Sequence, residues 1–237
     1  QELRLRVGQK PLLIRSNGIA YLDRTITKDD LYFCINTSSK YSPWTAESMA
    51  DGYITSAGGH RIGICGQASI EKKNMLGPSS VCIRIARDFV GLTKSLVYSK
   101  ESFLILGKPG SGKTTLLRDL VRSRSNAHME SIGVVDQKCE IFPHICGTPC
   151  FDIGKNTDVL YNCPKPHGIE ILLRNMGPAT IAVDEITAEE DCKALLHAGW
   201  CGVQILATAH AGSLSDLYSR PVYKSIVESK LFSKAIL

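Results

Sequence analysis

Residues Gly107, Lys108, Pro109, Gly110, Ser111, Gly112, Lys113, Thr114 and Thr115 put three glycines, cationic side chains and hydroxyls into one short segment. The pattern Gly107-x-x-x-x-Gly112-Lys113-Thr114 is one that can bind phosphate. Its glycines let successive backbone N–H groups turn inward onto phosphate oxygens, and a helix opening near Gly112 adds the positive end of its dipole. Lys113 has the reach to meet β- and γ-phosphates, and the Thr114 hydroxyl is suited to coordinate Mg²⁺. The expected ligands are therefore ATP and Mg²⁺.

Hydrolysis needs acids as well. Ile181-Ala-Val-Asp184-Glu185 is an apolar run ending in two carboxylates. One can position a cation and its waters while its neighbour orients the attacking water. Asp136 and Glu140 form a second acidic pair behind another apolar run. Thr114, Asp184 and Asp136 are the expected metal ligands. Glu185 and Glu140 are both candidates for activating water, with Lys113 and His210 completing the expected catalytic set. His210 follows the run Val203–Thr208 and is expected to sense the γ-phosphate.

These residues need elements to hold them. Phe103–Leu106 reads as a buried strand running into the glycine-rich loop. Leu116, Leu117, Leu120 and Val121 recur at helical spacing after it. Ile132–Val135, Thr180–Val183 and Val203–Thr208 read as further strands. Ile169, Leu172, Leu173 and Met176 mark a helix, and Thr187 is expected to cap another with Glu190 three residues on. Strands alternating with helices predict an α/β domain over residues 93–237, with a mainly parallel sheet. Ligands bind such sheets at the carboxyl ends of the strands, where every polar cluster named above falls.

The first 92 residues read as a smaller α+β domain. Leu3–Val7 alternates like a half-buried strand. Asn17-Gly18 and Gly58-Gly59 signal hairpins, and Thr27 with Asp30 has capping-box spacing before a short helix. Val81, Ile83 and Ile85 alternate, which turns Arg84 away from the apolar face.

At 43% hydrophobic and 22% charged, the 237-residue chain has the composition of a globular protein and not of a disordered one. No apolar run approaches the roughly 18 residues of a membrane span. The net charge of +5 is uneven: residues 1–92 carry 12 Lys/Arg against 8 Asp/Glu, and residues 93–237 carry 16 against 15. The nine cysteines include no Cys-x-x-Cys pair, and His144, Cys146, Cys150, Cys163 and His167 fit no standard zinc spacing. Reduced thiols in a cytoplasmic protein are expected. The start at Gln1 and the apolar end at Lys234–Leu237 read as a piece of a longer chain.

Residues 107–114, Val135–Glu140, Leu173–Pro178 leading to Glu185, and Ala207–Gly212 resemble the ATP-binding loop, acidic box, Walker B strand and histidine box of the secretion-type ATPases. These serve type II and type IV systems and pilus motors, and their nucleotide domain is RecA-like. Further segments are similar to the stage III sporulation protein AA family, over nearly the whole chain. They include Gly59–Gly63, Ile83–Ala86, Leu117–Asp119, Thr157–Leu160 and Cys163-Pro-Lys165. The resemblance implies a ring-shaped homo-oligomer, a hexamer. It also implies a place on the cytoplasmic, mother-cell face of a secretion-like membrane complex, with hydrolysis driving assembly or transport between mother cell and forespore. Front-domain arginines reach nucleotide in the secretion-type family, so Arg61, Arg84 and Arg87 are expected nucleotide-binding residues.

The chain departs from the family pattern at Gln137 and Lys138, where an acid and an arginine are usual, and at Thr187, where glycine is usual. Two other readings stand beside the motor. One is a motor on single-stranded nucleic acid, for which 7% aromatic residues supply no stacking stripe, so nucleic acid is not the expected partner. The other is a nucleotide-binding scaffold with little turnover.

Overall fold

Alternating apolar residues make the first half of the chain a one-sided sheet. In the computed structural model, which describes residues 1–39, 52–69, 74–128, 130–145 and 147–237, this region provides strands β1 (Glu2–Arg6), β2 (Leu12–Arg15), β3 (Gly18–Tyr21), β4 (Tyr53–Ser56), β5 (His60–Ser69) and β6 (Asn74–Arg84). They form an antiparallel sheet in the order β3-β2-β1-β6-β5-β4. Helix α1 (Lys28–Ser39) begins as its capping residues predict. The Thr27 N–H donates to Asp30 Oδ2 at 2.8 Å and the Asp30 N–H to Thr27 Oγ1 at 3.2 Å. Leu31 and Ile35, one turn apart, bury against Leu5, Ile54, Ile62, Ile64 and Val81. The Asn17-Gly18 signal marks the right hairpin one position off. Arg15 pairs with Gly18, so Ser16 and Asn17 form the turn and Gly18 starts the returning strand.

The chain divides into two compact units. The first holds Gln1–Arg87 together with Pro143–Phe151, an excursion containing the hairpin β9 (His144–Ile145) and β10 (Thr148–Pro149). A side chain at Gly59, whose φ is +76°, would meet Phe151 and Pro143 at 3.2 Å.

The second unit, Asp88–Phe142 and Asp152–Leu237, is a parallel sheet sandwiched by helices. It contains β7 (Phe103–Leu106), α2 (Lys113–His128), β8 (Ile132–Asp136), β11 (Thr157–Tyr161), α3 (Lys165–Asn175), β12 (Thr180–Val183), α4 (Glu189–Trp200) and β13 (Gln204–Ala209). Short helices α5 (Leu214–Ser219) and α6 (Lys224–Glu228) and strand β14 (Lys234–Ile236) follow. The sheet order is β11-β8-β12-β13-β7-β14, and every pairing is parallel. Central strands covered on both faces read as continuous apolar runs. Leu104, Val135, Ile181, Val183, Ile205 and Ala207 share one core with Ile169, Leu172, Leu195 and Leu196 of α3 and α4. Ile105, Val134, Ala182 and Leu206 on the opposite face are equally buried.

Helix α2 carries polar residues into the interior. Asp119 accepts the N–H groups of Gly91 and Thr93 at 2.9 and 2.8 Å, and Arg122 pairs with Asp119 at 2.8 Å. Arg124 donates to the carbonyl of Glu101 at 2.9 Å. The segment leading into β7 is thereby tied to the helix that opens with Lys113. At α4 the expected cap is replaced. The N-cap is Ala188, and Asp191 reaches back to accept the N–H groups of Thr187 and Ala188 at 3.0 and 3.2 Å. A carboxylate in the first turn thus holds the amides that lead into the helix, at the positive end of its dipole.

Candidate functional site

Because β8, β12, β13 and β7 are parallel and adjacent in that order, the residues that follow them emerge side by side. Neighbouring strands lie about 4.8 Å apart, which is the reach of one side chain to the next. Chain order does not show this. β13 comes last of the four in sequence and lies between β7 and β12, so His210 falls between Lys113 and Glu185.

The glycine-rich loop, residues 107–112, joins β7 to α2. Gly110 and Gly112 have φ of +76° and +97°, and a side chain on either would meet nothing within 4 Å, which leaves the loop's inner surface open. At Gly107 a Cβ would lie 2.4 Å from Ser111 Oγ, so the serine side chain would have to turn away. Lys113, Thr114 and Thr115 form the first turn of α2, where free N–H groups point outward.

The Lys113 ammonium donates to the carbonyls of Gly107 and Lys108 at 2.9 and 3.0 Å and lies 3.1 Å from His210 Nδ1. Burial pulls its pKa below the ordinary value, while Glu185 and Asp184 oppose the shift. An ammonium can only donate, so Nδ1 accepts and the ring proton sits on Nε2. That nitrogen lies 2.9 Å from Glu185 Oε1. Lys113, His210 and Glu185 thus form a continuous chain across three strand ends.

A second chain runs beside it. Thr114 Oγ1 donates to Asp184 Oδ2 at 3.0 Å, and Thr208 Oγ1 donates to Asp184 Oδ1 at 2.7 Å. The Glu185 N–H reaches both Asp184 Oδ1 and Thr208 Oγ1 at 2.9 Å. Thr208 was not among the residues singled out from sequence. The signal for it is a hydroxyl inside an otherwise apolar buried strand, two positions before His210.

Asp136, expected as a metal ligand, lines the same cavity as Asp184 and Glu185 while its carboxylate is held by the following turn. It is 1% exposed, and its oxygens accept three backbone N–H groups, from Glu140, Ile141 and Phe142, at 2.8–2.9 Å. Burial pushes its pKa up to about 6 against those three donors, with Asp184 adding to the rise. Arg118 holds the same turn from the other side, through the carbonyls of Ile141 and Glu140. The two residues shape the turn that presents Glu140. A cavity of about 90 Å³ lies there, with Asp136, Gln137, Glu140, Lys165, Asp184 and Glu185 on its wall. That is room for several waters.

The donor set fits a magnesium nucleotide. Thr114 Oγ1 and the Asp184 carboxylate are hard oxygen ligands of the kind Mg²⁺ takes, and Lys113 stands at the mouth of the loop that would hold phosphate. No group of three or more His, Cys, Asp or Glu suited to a metal occurs among the described residues; Cys146 lies outside them. Arg61, Arg84 and Arg87 belong to the first unit. Arg61 stacks over the Tyr53 ring at 4.1 Å and is register partner to Arg84 across β5 and β6. Arg84 is exposed, as the strand alternation predicts.

Solved structures share this fold at low sequence identity. The ATPase DotB of Legionella pneumophila matches with a TM-score of 0.62 and 16% identity, over 97% of this chain and 68% of its own. The pilus retraction motor PilT, solved with bound ADP, matches with a TM-score of 0.69 and 16% identity, over 99% and 72%. The architecture is the α/β, RecA-like fold of the secretion ATPases. Among curated proteins, stage III sporulation protein AA of Bacillus subtilis is 36% identical over 247 aligned positions, covering 99% of this chain and 80% of that protein. A protein named ycf45 from Cyanidium caldarium is 29% identical, over 86% of this chain and 58% of its own. The family model described as sporulation stage III, protein AA matches residues 1–237. The chain belongs to the family of sporulation stage III protein AA.

Proposed function

We propose that this protein is a Mg²⁺-dependent ATPase that works as a ring motor for a secretion-like membrane complex between mother cell and forespore. The observation that carries the proposal is the pair of chains at the strand ends: Lys113–His210–Glu185 beside Thr114–Asp184–Thr208. They bring a cation suited to phosphate, an oxygen pair suited to a metal ion and a base to adjacent strand ends, with His210 between the cation and the base. The motor, the hexameric ring and the cytoplasmic face of the complex rest on kinship, through the sporulation family and the fold shared with a secretion ATPase and a pilus motor. No described helix is long and apolar enough to cross a membrane.

In this reading the amides of residues 107–115 hold the phosphates and Lys113 meets the terminal one. Thr114 and Asp184 hold Mg²⁺, which when bound neutralises charge on the β- and γ-phosphate oxygens. Thr208 fixes the orientation of Asp184. Water in the cavity attacks the γ-phosphorus in line, ADP leaves, and Glu185 or Glu140 takes the water's proton. Of the two, Glu185 is favoured by its tie to Lys113 through His210. Asp136 and Arg118 hold the turn that carries Glu140. Phosphoryl transfer concentrates negative charge, and we assign Arg61, Arg84 or Arg87 the supply of a further cation on that chemical ground. The test is steady-state ATP hydrolysis by the purified chain, with and without Mg²⁺, beside Glu185→Gln. A Mg²⁺-dependent turnover that this variant abolishes while still binding nucleotide supports the assignment. Hydrolysis unaffected by the substitution defeats it.

A further inference from the structure

Cys163-Pro-Lys165 has no part in the chemistry above, yet its lysine is held in a costly place. Lys165 is the first residue of α3 and is 6% exposed. A buried cation there sits at the positive end of a helix dipole. Such a placement calls for specific partners.

Lys165 Nζ lies 3.3 Å from Gln137 Oε1 and 3.4 Å from Asp191 Oδ2. Gln137 follows Asp136 on the arm that carries Glu140. Asp191 Oδ2 holds the N–H groups of Thr187 and Ala188, in the arm that follows Glu185. One ammonium therefore joins the two carboxylate-bearing arms. It does so on the wall of the cavity that both Glu140 and Glu185 line. The partner on the first arm is the glutamine that departs from the family's usual acid, so the contact there is with a neutral amide and not with a carboxylate.

We propose that Lys165 is a positioning residue whose ammonium braces the 136–140 arm against the 184–188 arm, fixing the spacing of Glu140 and Glu185 across the cavity. Its effect on turnover rests on the ATPase reading; the brace itself does not.

The test is a double-mutant cycle of Lys165→Met, which keeps the unbranched stem, with Gln137→Leu at an exposed position. It is read in both ATP turnover and thermal melting. Lys165→Met is expected to lower kcat about tenfold, less than the hundredfold that a misplacement of ~1 Å can cost. The KM for ATP should stay within about twofold. Gln137→Leu should give a smaller loss, and the double variant should be no worse than Lys165→Met alone in either readout. Gln137→Glu, which makes the contact ionic, should raise the melting temperature in the wild-type background and not beside Lys165→Met. Additive losses in both readouts, or a raised KM with kcat unchanged, overturn the brace. If the wild-type chain does not hydrolyse ATP, the ATPase reading fails, and the melting cycle alone decides the brace by the same criterion. If Lys165→Met does not fold, Lys165→Arg takes its place in the cycle, keeping the charge while changing its geometry.

Discussion

Thr208→Val removes one hydroxyl and keeps the shape of a β-branched side chain, so its effect can be worked from the contacts. Thr208 is 0% exposed, and water cannot replace the lost group without cost. The bond to Asp184 Oδ1 at 2.7 Å is a hydrogen bond to a charged group, of a kind that contributes about 1.5–3 kcal/mol. The Glu185 N–H loses Thr208 Oγ1 but keeps Asp184 Oδ1 at 2.9 Å, so no second group is orphaned. The net loss is about 2 kcal/mol, and at roughly 2–4 °C per kcal/mol for a chain of this size the melting temperature should fall by about 4–8 °C. Asp184 then has one restraint fewer on the carboxylate proposed to hold Mg²⁺, and kcat should fall about tenfold, equivalent to about 1.4 kcal/mol of barrier. Thr208→Ser separates the two effects. It keeps the hydroxyl and loses a methyl group, so it should cost about 1 kcal/mol of stability and leave kcat near wild type. The assay is calorimetric or fluorescence melting together with coupled-enzyme ATP turnover on all three proteins. Wild-type turnover in Thr208→Val, or equal kcat loss in the valine and serine variants, would refute the argument that this hydroxyl orients Asp184.

Further outcomes follow from the same geometry. Lys113→Ala should abolish turnover and weaken ATP binding with the fold intact, checked by nucleotide titration and circular dichroism; unchanged hydrolysis sinks the assignment of the loop. Glu185→Gln should bind ATP and turn over at least about a hundredfold more slowly, as removal of a general base typically costs. A larger loss in Glu140→Gln would transfer that role, and near-normal rates in both would remove it from each. Arg61→Ala, Arg84→Ala and Arg87→Ala should include at least one with slower turnover or impaired assembly with a non-hydrolysable ATP analogue, read by turnover and by oligomer mass; three wild-type profiles would retire the arginine proposal. Burial holds the folded-state pKa of Asp136 at about 6, above the ~4 of an unfolded chain. Its stabilising contribution is therefore full below pH ~4 and is lost as pH rises through about 6, by about 3 kcal/mol. Urea unfolding of nucleotide-free protein between pH 4 and 7 should show that fall, and Asp136→Asn should lack it.

Much of the second unit was legible because its central strands are short, mostly apolar and followed at once by chemistry-bearing residues. Phe103–Leu106, Ile132–Val135, Thr180–Val183 and Gln204–Ala209 are all strands of the sheet. The edge strands were not legible. Thr157–Tyr161 is partly exposed and mixed in polarity, and Lys234–Ile236 is only three residues long, so neither carries the periodicity of a two-faced buried strand. The excursion Pro143–Phe151 escaped for another reason. Its membership of the first unit is a long-range fact, carried by contacts such as Gly59 against Pro143, and no local pattern announces it. For Asp136, sequence shows a carboxylate at a strand end but not the groups that hold it. Three amides of the following turn claim it. Lys165 and Asp191 stayed hidden for a similar reason: their pairing spans 26 residues and two helix starts.

The position of His210 gives the site a property that its separate residues lack. The Lys113 ammonium has three N–H groups, and the carbonyls of Gly107 and Lys108 and the ring of His210 occupy all three. On the proposed reading, a terminal phosphate that engages Lys113 must displace at least one of these partners. A loop carbonyl released in this way turns toward solvent at little cost. Release of His210 leaves Nδ1 without its donor and loosens the ring that holds Glu185 Oε1 at 2.9 Å. Phosphate at the lysine is then felt at the carboxylate through one imidazole. The connection needs no movement of the backbone, since β13 already sits between β7 and β12. A histidine suits this place because one ring nitrogen accepts from the lysine while the other donates to the glutamate. On the proposed reading, the inserted order of β13 thus places one residue at its end in contact with both the lysine and the acid.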